Sequence, residues 1–412
     1  MNRLYIFLLP LLLLLVGTFS ASAQIVDAQG QYVDTVFNDN VDRTAEDFVI
    51  ASILISDPIE GVLSPAGHTA IRVQCPVFDL DYVYHYMTIN EKDSITETRA
   101  FLTGQFVVQM VADSFDTYIR RSEEQQRGLT EYPINLTPQE DQKLWQILDE
   151  TLEKSQQMRY EFVKQGCCAR SIIIIIIKVL GKKHIDYSAC NPRYSRPPYE
   201  LVASGMSHVP WLRFFMLTAM YGTFRHTEQG DNLFIPADLA AAWQCAMVDG
   251  HPLLGDGVRL LPNSYFADNS WLTPMRLALL LLIISLFAFA MKSTYLDWII
   301  LVVQVLMSVL VLIVSVLGAS FISWNWLLIP FNILPAICWR WRRYWALPYV
   351  GVSITWCLVM LFVPHMLVDT THIILTLAFA IVLLKQSNIL QRWLQKPVVQ
   401  DMKKTHHVTN KN

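Results

Sequence analysis

The sequence predicts an α+β domain exported from the cytoplasm and followed by an α-helical transmembrane bundle of about five helices. Three observations carry this prediction. The chain opens with an apolar leader ending in small residues, and its middle alternates β-branched runs with amphipathic patterns. Its last third holds apolar stretches close to a bilayer in length.

Residues 1–23 have the form of a signal peptide: Arg3, then an apolar core from Tyr5 to Val16, then Ala21-Ser22-Ala23 before Gln24. No cysteine follows the small residues, so the chain is not itself a lipoprotein. Residues 24–46 are polar and read as an exposed lead-in, and the globular domain is placed at 47–270. Within it Phe48–Ile55, Thr69–Val73, Tyr82–Ile89 and Phe106–Ala112 read as strands, being β-branched or aromatic and bounded by turn formers. Asp113–Arg121 reads as the start of a helix. Thr137-Pro138-Gln139-Glu140 is a capping box with proline at the first helical position. The helix it opens is predicted to run to about Met158, burying Leu144, Ile147, Leu148 and Leu152 and turning Asp141, Asp149 and Glu150 to solvent.

Ser171–Leu180 contains six consecutive isoleucines, which by propensity alone form a strand. Gly181-Lys182-Lys183 is a helix stop, with glycine past the end and positive charge at the negative end of the dipole. The stop favours a buried helix. Residues 184–196 read as a loop, and Trp211–Phe224 and Pro236–Met247 as further helices.

After Trp271, four stretches approach the thickness of a bilayer: Pro274–Met291, Tyr295–Phe321, Tyr344–Val363 and Met366–Leu384. Trp324–Trp339 is shorter and carries two asparagines, so it reads as a fifth span or a re-entrant segment. Five crossings put Lys292, Arg340, Arg342, Arg343 and the basic tail on the cytoplasmic side. The bundle is thus placed at 271–388 and a cytoplasmic tail at 389–412.

The composition, 53% hydrophobic and 16% charged with a formal net charge of −3, offers no basic stripe and argues against a nucleic-acid partner. Of seven cysteines, Cys338 and Cys357 fall in apolar stretches, while Cys75, Cys167, Cys168, Cys190 and Cys245 lie in the exported region. Thiols there tend to pair, for example Cys168 with Cys190, and an odd number leaves at least one unpaired. There is no Gly-rich phosphate loop and no Gly-x-Ser-x-Gly elbow. The adjacent Cys167-Cys168 lacks the gap of a zinc site. Neither cofactor nor metal is expected.

Two words about a hundred residues apart carry the chemistry: Gly67-His68-Thr69-Ala70-Ile71-Arg72-Val73 and Gly166-Cys167-Cys168-Ala169-Arg170. A cysteine at a helix start lies near the positive end of the dipole, which favours its thiolate. A histidine on a strand facing it would take the thiol proton. Cys167 is therefore the candidate nucleophile and His68 the candidate base. Ser64 and His85 are candidates to orient His68. Arg170 is a candidate for holding phosphate or carboxylate, or for an ion pair with Glu161. Arg127 and Glu131 read as members of structural pairs.

The same residues give the chain a resemblance to the Lnb-type lipoprotein N-acyltransferases of Bacteroidota. It runs through Gly67 to Val73, Phe101, Gly104, Arg127, Glu131, Asn135-Leu136-Thr137, Tyr160-Glu161-Phe162, Cys167 and Arg170, and Pro236 to Leu254 looks like the closing helix and turn. Relatives have Asn where this chain has Gly166, and Gly where it has Met87. Alignment on Arg170 selects Cys167 over Cys168. The order of His before Cys also resembles circularly permuted papain-like domains. The resemblance implies a multi-pass protein of the bacterial inner membrane with its N-terminal domain in the periplasm. It implies that Cys167 takes an acyl chain from a phospholipid donor as a thioester, and that the N-terminal amine of a diacylated lipoprotein accepts it. Two other readings of the residues stay open: a cysteine peptidase or amidase acting on cell-wall peptides, and a non-enzymatic periplasmic interaction domain.

Overall fold

The computed structural model describes residues 42–59, 66–88, 94–103, 105–154, 157–160, 169–192, 196, 198–219, 233–262, 270–317, 348, 351 and 369–386. Seven strands form one antiparallel sheet: β1 (Ile50–Ser56), β2 (His68–Cys75), β3 (Leu80–Thr88), β4 (Val107–Ser114), β5 (Leu129–Pro133), β6 (Met158–Arg159) and β9 (Val258–Leu261). Their order across the sheet is β6-β4-β3-β2-β1-β5-β9, and β7 (Met247–Val248) and β8 (His251–Pro252) form a separate ribbon. The four strands expected from β-branched runs are β1 to β4. Strand β4 extends two residues beyond the expected end at Ala112 and takes Asp113 into the sheet.

Pairing register sorts the side chains into two faces. Ser52 pairs with Arg72 and Arg72 with Val83, which pairs with Asp113. Ile53, Ile71, Tyr84 and Ala112 run likewise across the other face. Because successive side chains alternate, Leu54, Ser56, His68, Ala70, His85 and Asp113 share the first face.

Helix α1 (Ser94–Leu102) precedes β4, and α2 (Phe115–Glu124) leaves β4 directly, Ser114 being both the strand's last residue and the helix cap, accepting from Thr117 N–H. From α2, Tyr118, Phe115 and Ile119 cover Leu54, Ala70, Val83 and Leu129 on the first face. Helix α3 (Pro138–Glu153) opens with the capping box as expected, Thr137 and Glu140 each satisfying the other's backbone. It lies over the second face, where Tyr84 donates its hydroxyl to Asp149 at 2.6 Å and accepts from Trp145 Nε1 at 3.1 Å.

Helix α4 (Ala169–Leu180) settles the isoleucine run as helical and packs against α3 and β2. Ile172, Ile173, Ile175, Ile176, Val179 and Leu180 are buried, whereas Ile174 and Ile177 are exposed. That is a helical stripe, and burying it outweighs the β-propensity of each isoleucine. Gly181 follows with φ +65, the left-handed stop that glycine adopts without penalty. Helices α5 (Pro198–Gly205), α6 (Pro210–Ala219) and α7 (Pro236–Cys245) complete this part.

Three further helices, α8 (Pro274–Ala290), α9 (Thr294–Leu317) and α10 (Thr370–Gln386), pack together around Ala278, Leu281, Ile300, Leu375, Phe379 and Val382. Their core is keyed by polar groups: Lys385 Nζ meets Asp297 Oδ1 at 2.9 Å and the carbonyls of Ala288 and Ser293 at 2.8 Å each. A second polar cluster ties α5 and α6 to α10. Arg213 pairs with Asp369 at 2.7 Å, Asp369 N–H donates to Tyr199 Oη, and Thr218 Oγ1 lies 2.7 Å from His372 Nε2.

Here the predicted fold class is corrected. Among the described residues no helix is long and apolar enough to cross a membrane, so the expected transmembrane bundle is not found. Helices α8 and α10 have 17 residues each. At ~1.5 Å per residue that is ~26 Å, short of a hydrocarbon core of ~30 Å. The apolar stretches of the sequence are longer than these helices because α8 stops at Lys292 (φ +52) and α10 starts at the Asp369 cap. Helix α9 carries Asp297, Gln304 and Ser308 among its buried side chains. The expected signal peptide, the tail and the segment Trp324–Trp339 lie outside the described residues.

Candidate functional site

The site is built on one corner, where β2 begins. Gly67 has φ +92, and a Cβ there would stand 2.5 Å from the carbonyl oxygen of Ser56 and 3.7 Å from the Pro236 ring of α7. Only glycine meets both conditions. The close approach puts His68 directly opposite Ser56 in the β1–β2 register.

His68 is 8% exposed, and its ring meets that of His85 edge-on, with centroids 5.6 Å apart and planes at 89°. His85 Nε2 lies 2.9 Å from Asp113 Oδ2, and Arg121 Nη1 lies 2.6 Å from the same oxygen. The ring of Tyr118 closes the other side of His85 at 5.1 Å, and its hydroxyl lies 3.3 Å from Ser56 Oγ. Asp113 and Arg121 come from the end of β4 and from α2, one strand and one helix joined without a loop.

Electrostatics fixes the protonation of this line. Burial drives the His85 pKa down to about 4, against the pull of its hydrogen bond to Asp113. His85 is therefore neutral from pH 5 to pH 8. A carboxylate only accepts, so Nε2 carries the proton and donates it. The same bond holds the Asp113 carboxyl below its usual range despite burial, with Arg121 adding to the effect. Asp113 is anionic, Arg121 is its counter-ion, and His85 relays neither charge to His68.

Beside this line sits a saturated charge cluster. Arg72 contacts Asp81 at 2.6 Å and Glu131 at 3.0 Å, and lies 3.4 Å over the ring centroid of Phe115. Ser52 Oγ donates to Glu131 at 2.5 Å. Glu131 is thus a structural partner, as its sequence suggested, and that partner is Arg72. The cluster binds β1, β2, β3 and β5 together.

Of the residues singled out in sequence, His68 and His85 are brought into contact. Ser64, Cys167 and Cys168 lie outside the described residues. Arg170 belongs to the first turn of α4, but its side chain lies outside the described residues. Helix α4 starts at Ala169, so Cys167 and Cys168 directly precede it in sequence. Cys190 is bonded to Cys245, with Cα atoms 5.4 Å apart, so Cys168–Cys190, one of the pairings the sequence left open, does not form. Cys75 is a free thiol buried at the end of β2. The acidic face expected on α3 is solvated at Asp149 and Glu150, which are exposed, and is corrected at Asp141. Asp149 accepts from Tyr84, and Asp141 is 7% exposed with its pKa pushed to about 7, first by burial and then by Glu140.

Sequence reasoning missed Asp113, Tyr118 and Arg121. Asp113 had been given to a helix, whereas Ser114 with Thr117 three residues on marks the true helix start. Tyr118 and Arg121 stand one turn apart on that helix, a spacing that places both over the same strand face.

No curated protein and no solved structure matches the chain. A sequence family does, across β1 to β6 and α1 to α4. Strand β9 and the disulfide cysteines lie beyond the match, although β9 completes the same sheet. The match spans residues 40–186, and the family is described as the Lnb N-terminal periplasmic domain, to which this part of the chain is similar.

Proposed function

We propose that the protein is a thiol acyltransferase in which Cys167 is the nucleophile and His68 the base, moving an acyl chain from a phospholipid to the N-terminal amine of a diacylated lipoprotein. The observation that carries this reading is His68 itself. It is buried at a glycine-dependent corner, against a histidine that burial keeps neutral and an Asp–Arg pair holds in place, within the stretch that matches the Lnb N-terminal periplasmic domain.

The chemistry runs in two halves. His68 takes the thiol proton as the Cys167 sulfur attacks the donor ester carbonyl. The tetrahedral adduct collapses, the lysophospholipid oxygen leaves with the proton from His68, and a thioester remains. The acceptor amine then attacks the thioester carbonyl and loses a proton to His68. The C–S bond breaks, the sulfur recovers the proton, and an amide is released.

Two findings support the reading. The disulfide engages Cys190 and Cys245 with each other, so neither is available to pair with another thiol. Exposed apolar side chains on α8 and α9, among them Leu280, Ile283, Phe287 and Leu306, are flanked by exposed Trp271 and Tyr295, which suits contact with lipid.

The test uses the full chain with phosphatidylethanolamine vesicles and a diacylated lipopeptide. Mass spectrometry should show N-acylated peptide with the native chain, and none with Cys167→Ala or His68→Ala. A Cys167→Ala chain that acylates at the native rate rejects the reading.

A further inference from the structure

His85 and Asp113 lie outside the chemistry just proposed, yet they are held together at 2.9 Å beside the His68 ring. We infer that Asp113 and His85, clamped by Arg121, form a positioning unit that sets the orientation of the His68 ring. This inference rests on the acyl-transfer reading.

The argument is geometric first. Two imidazole rings at 89° and 5.6 Å leave His68 little freedom on the side that His85 occupies. His85 itself is fixed on three sides: Asp113 holds Nε2 at 2.9 Å, Tyr118 stands edge-on at 5.1 Å, and the β3–β4 ladder pairs His85 with Val111. Asp113 in turn is pinned by Arg121 at 2.6 Å. The constraints come from two elements besides its own strand, Asp113 and Val111 on β4 and Tyr118 and Arg121 on α2, so His85 cannot move without breaking contacts to both.

Charge gives the second argument. Among the described residues, the groups at the His68 corner that could titrate or carry charge are His85 on β3, Asp113 on β4, and Tyr118 and Arg121 on α2, while buried Asp238 lies on α7, whose Pro236 reaches Gly67. Asp113 and Arg121 offset one another. A neutral His85 between them and His68 places no repulsive cation beside a base that must accept a proton. Removing one member of the offset pair leaves the other uncompensated at short range in a partly buried setting, where charges interact strongly.

This predicts opposite shifts. Asp113→Asn leaves Arg121 unbalanced, disfavours the protonated base, and moves the acidic limb of the kcat/KM profile to lower pH. Arg121→Gln leaves Asp113 unbalanced and moves that limb to higher pH. His85→Phe keeps the ring volume, loses the Asp113 bond, and lowers kcat about 10- to 100-fold with KM within about two-fold, the size expected when a catalytic group is displaced by under an ångström. Asp113→Glu recovers part of the rate lost in Asp113→Asn.

The measurement is the pH–rate profile of the full chain with phosphatidylethanolamine vesicles and a diacylated lipopeptide, beside Cys167→Ala and His68→Ala. Opposite limb shifts with a lowered kcat for His85→Phe support the positioning unit. Should His85→Phe misfold, His85→Gln replaces it and the limb shifts of the two charge variants decide. Unshifted limbs and native kcat, with Cys167→Ala inactive, overturn the positioning unit and leave the acyl-transfer reading standing. Native rates in Cys167→Ala and His68→Ala overturn both.

Discussion

Acidification should loosen the sheet through His85, and the size of the effect follows from its burial. In the unfolded chain a histidine titrates near 6.5, whereas folded His85 is pushed to about 4. For a base whose folded value is depressed, the unfolded chain takes up the proton first as pH falls. Stability is therefore full above about pH 7 and is lost as pH falls towards 4. Between pH 7.5 and pH 5 the loss from this one group is about 2 kcal/mol, from the linkage of a 2.5-unit shift at ~1.4 kcal/mol per unit. Asp113, held below its usual range, contributes its own stability throughout that window and does not confuse it. In His85→Phe no proton is taken up at this position, while the lost bond to Asp113 costs about 1–3 kcal/mol at either pH. The stability gap between native and variant chains should thus shrink by about 2 kcal/mol from pH 7.5 to pH 5. Amide hydrogen exchange over residues 80–88, corrected for the intrinsic pH dependence of exchange, reads this locally. A gap that stays constant within ~0.5 kcal/mol would refute the assignment of a neutral, buried His85.

Three other outcomes are expected. Asp141→Asn should stabilise the chain at pH 7 but not at pH 4, because a carboxyl whose folded pKa is raised to about 7 loses stability as pH rises through that range; thermal melts of both chains across the window check it. Gly67→Ala should cost at least about 2 kcal/mol, through φ +92 and the contact with the Ser56 carbonyl, and should depress acyl transfer with it; a melt unchanged from the native chain would contradict the corner geometry. Reduction of Cys190–Cys245, which spans 55 residues, should remove roughly 4 kcal/mol, and non-reducing peptide mapping should recover that crosslink with Cys75 alkylated only after unfolding.

The sequence by itself determined whatever depends on neighbours along the chain. The capping box at Thr137, the four β-branched strands, the glycine stop at Gly181 and the His68 word are all local signals, and the structure has each of them, with strand ends shifted by one or two residues. Even the isoleucine run was legible, because a stop signal and a periodic stripe are both local. Tertiary structure decided the rest. Asp141 looks solvated on a helical wheel but is buried by what packs over α3. Glu131 finds Arg72 across two strands, and Cys190 finds Cys245 across 55 residues. Asp113 joins His85 only because the β3–β4 register and the turn into α2 bring β3, β4 and α2 to one point. The apolar stretches after Trp271 were read as spans from hydropathy, yet where a helix stops is set by its caps and by the polar groups it must pair, such as Asp297 with Lys385. Hydropathy measures what a segment would bury. Register and packing decide what it is buried against, and the line from His68 to Arg121 is a product of that second decision.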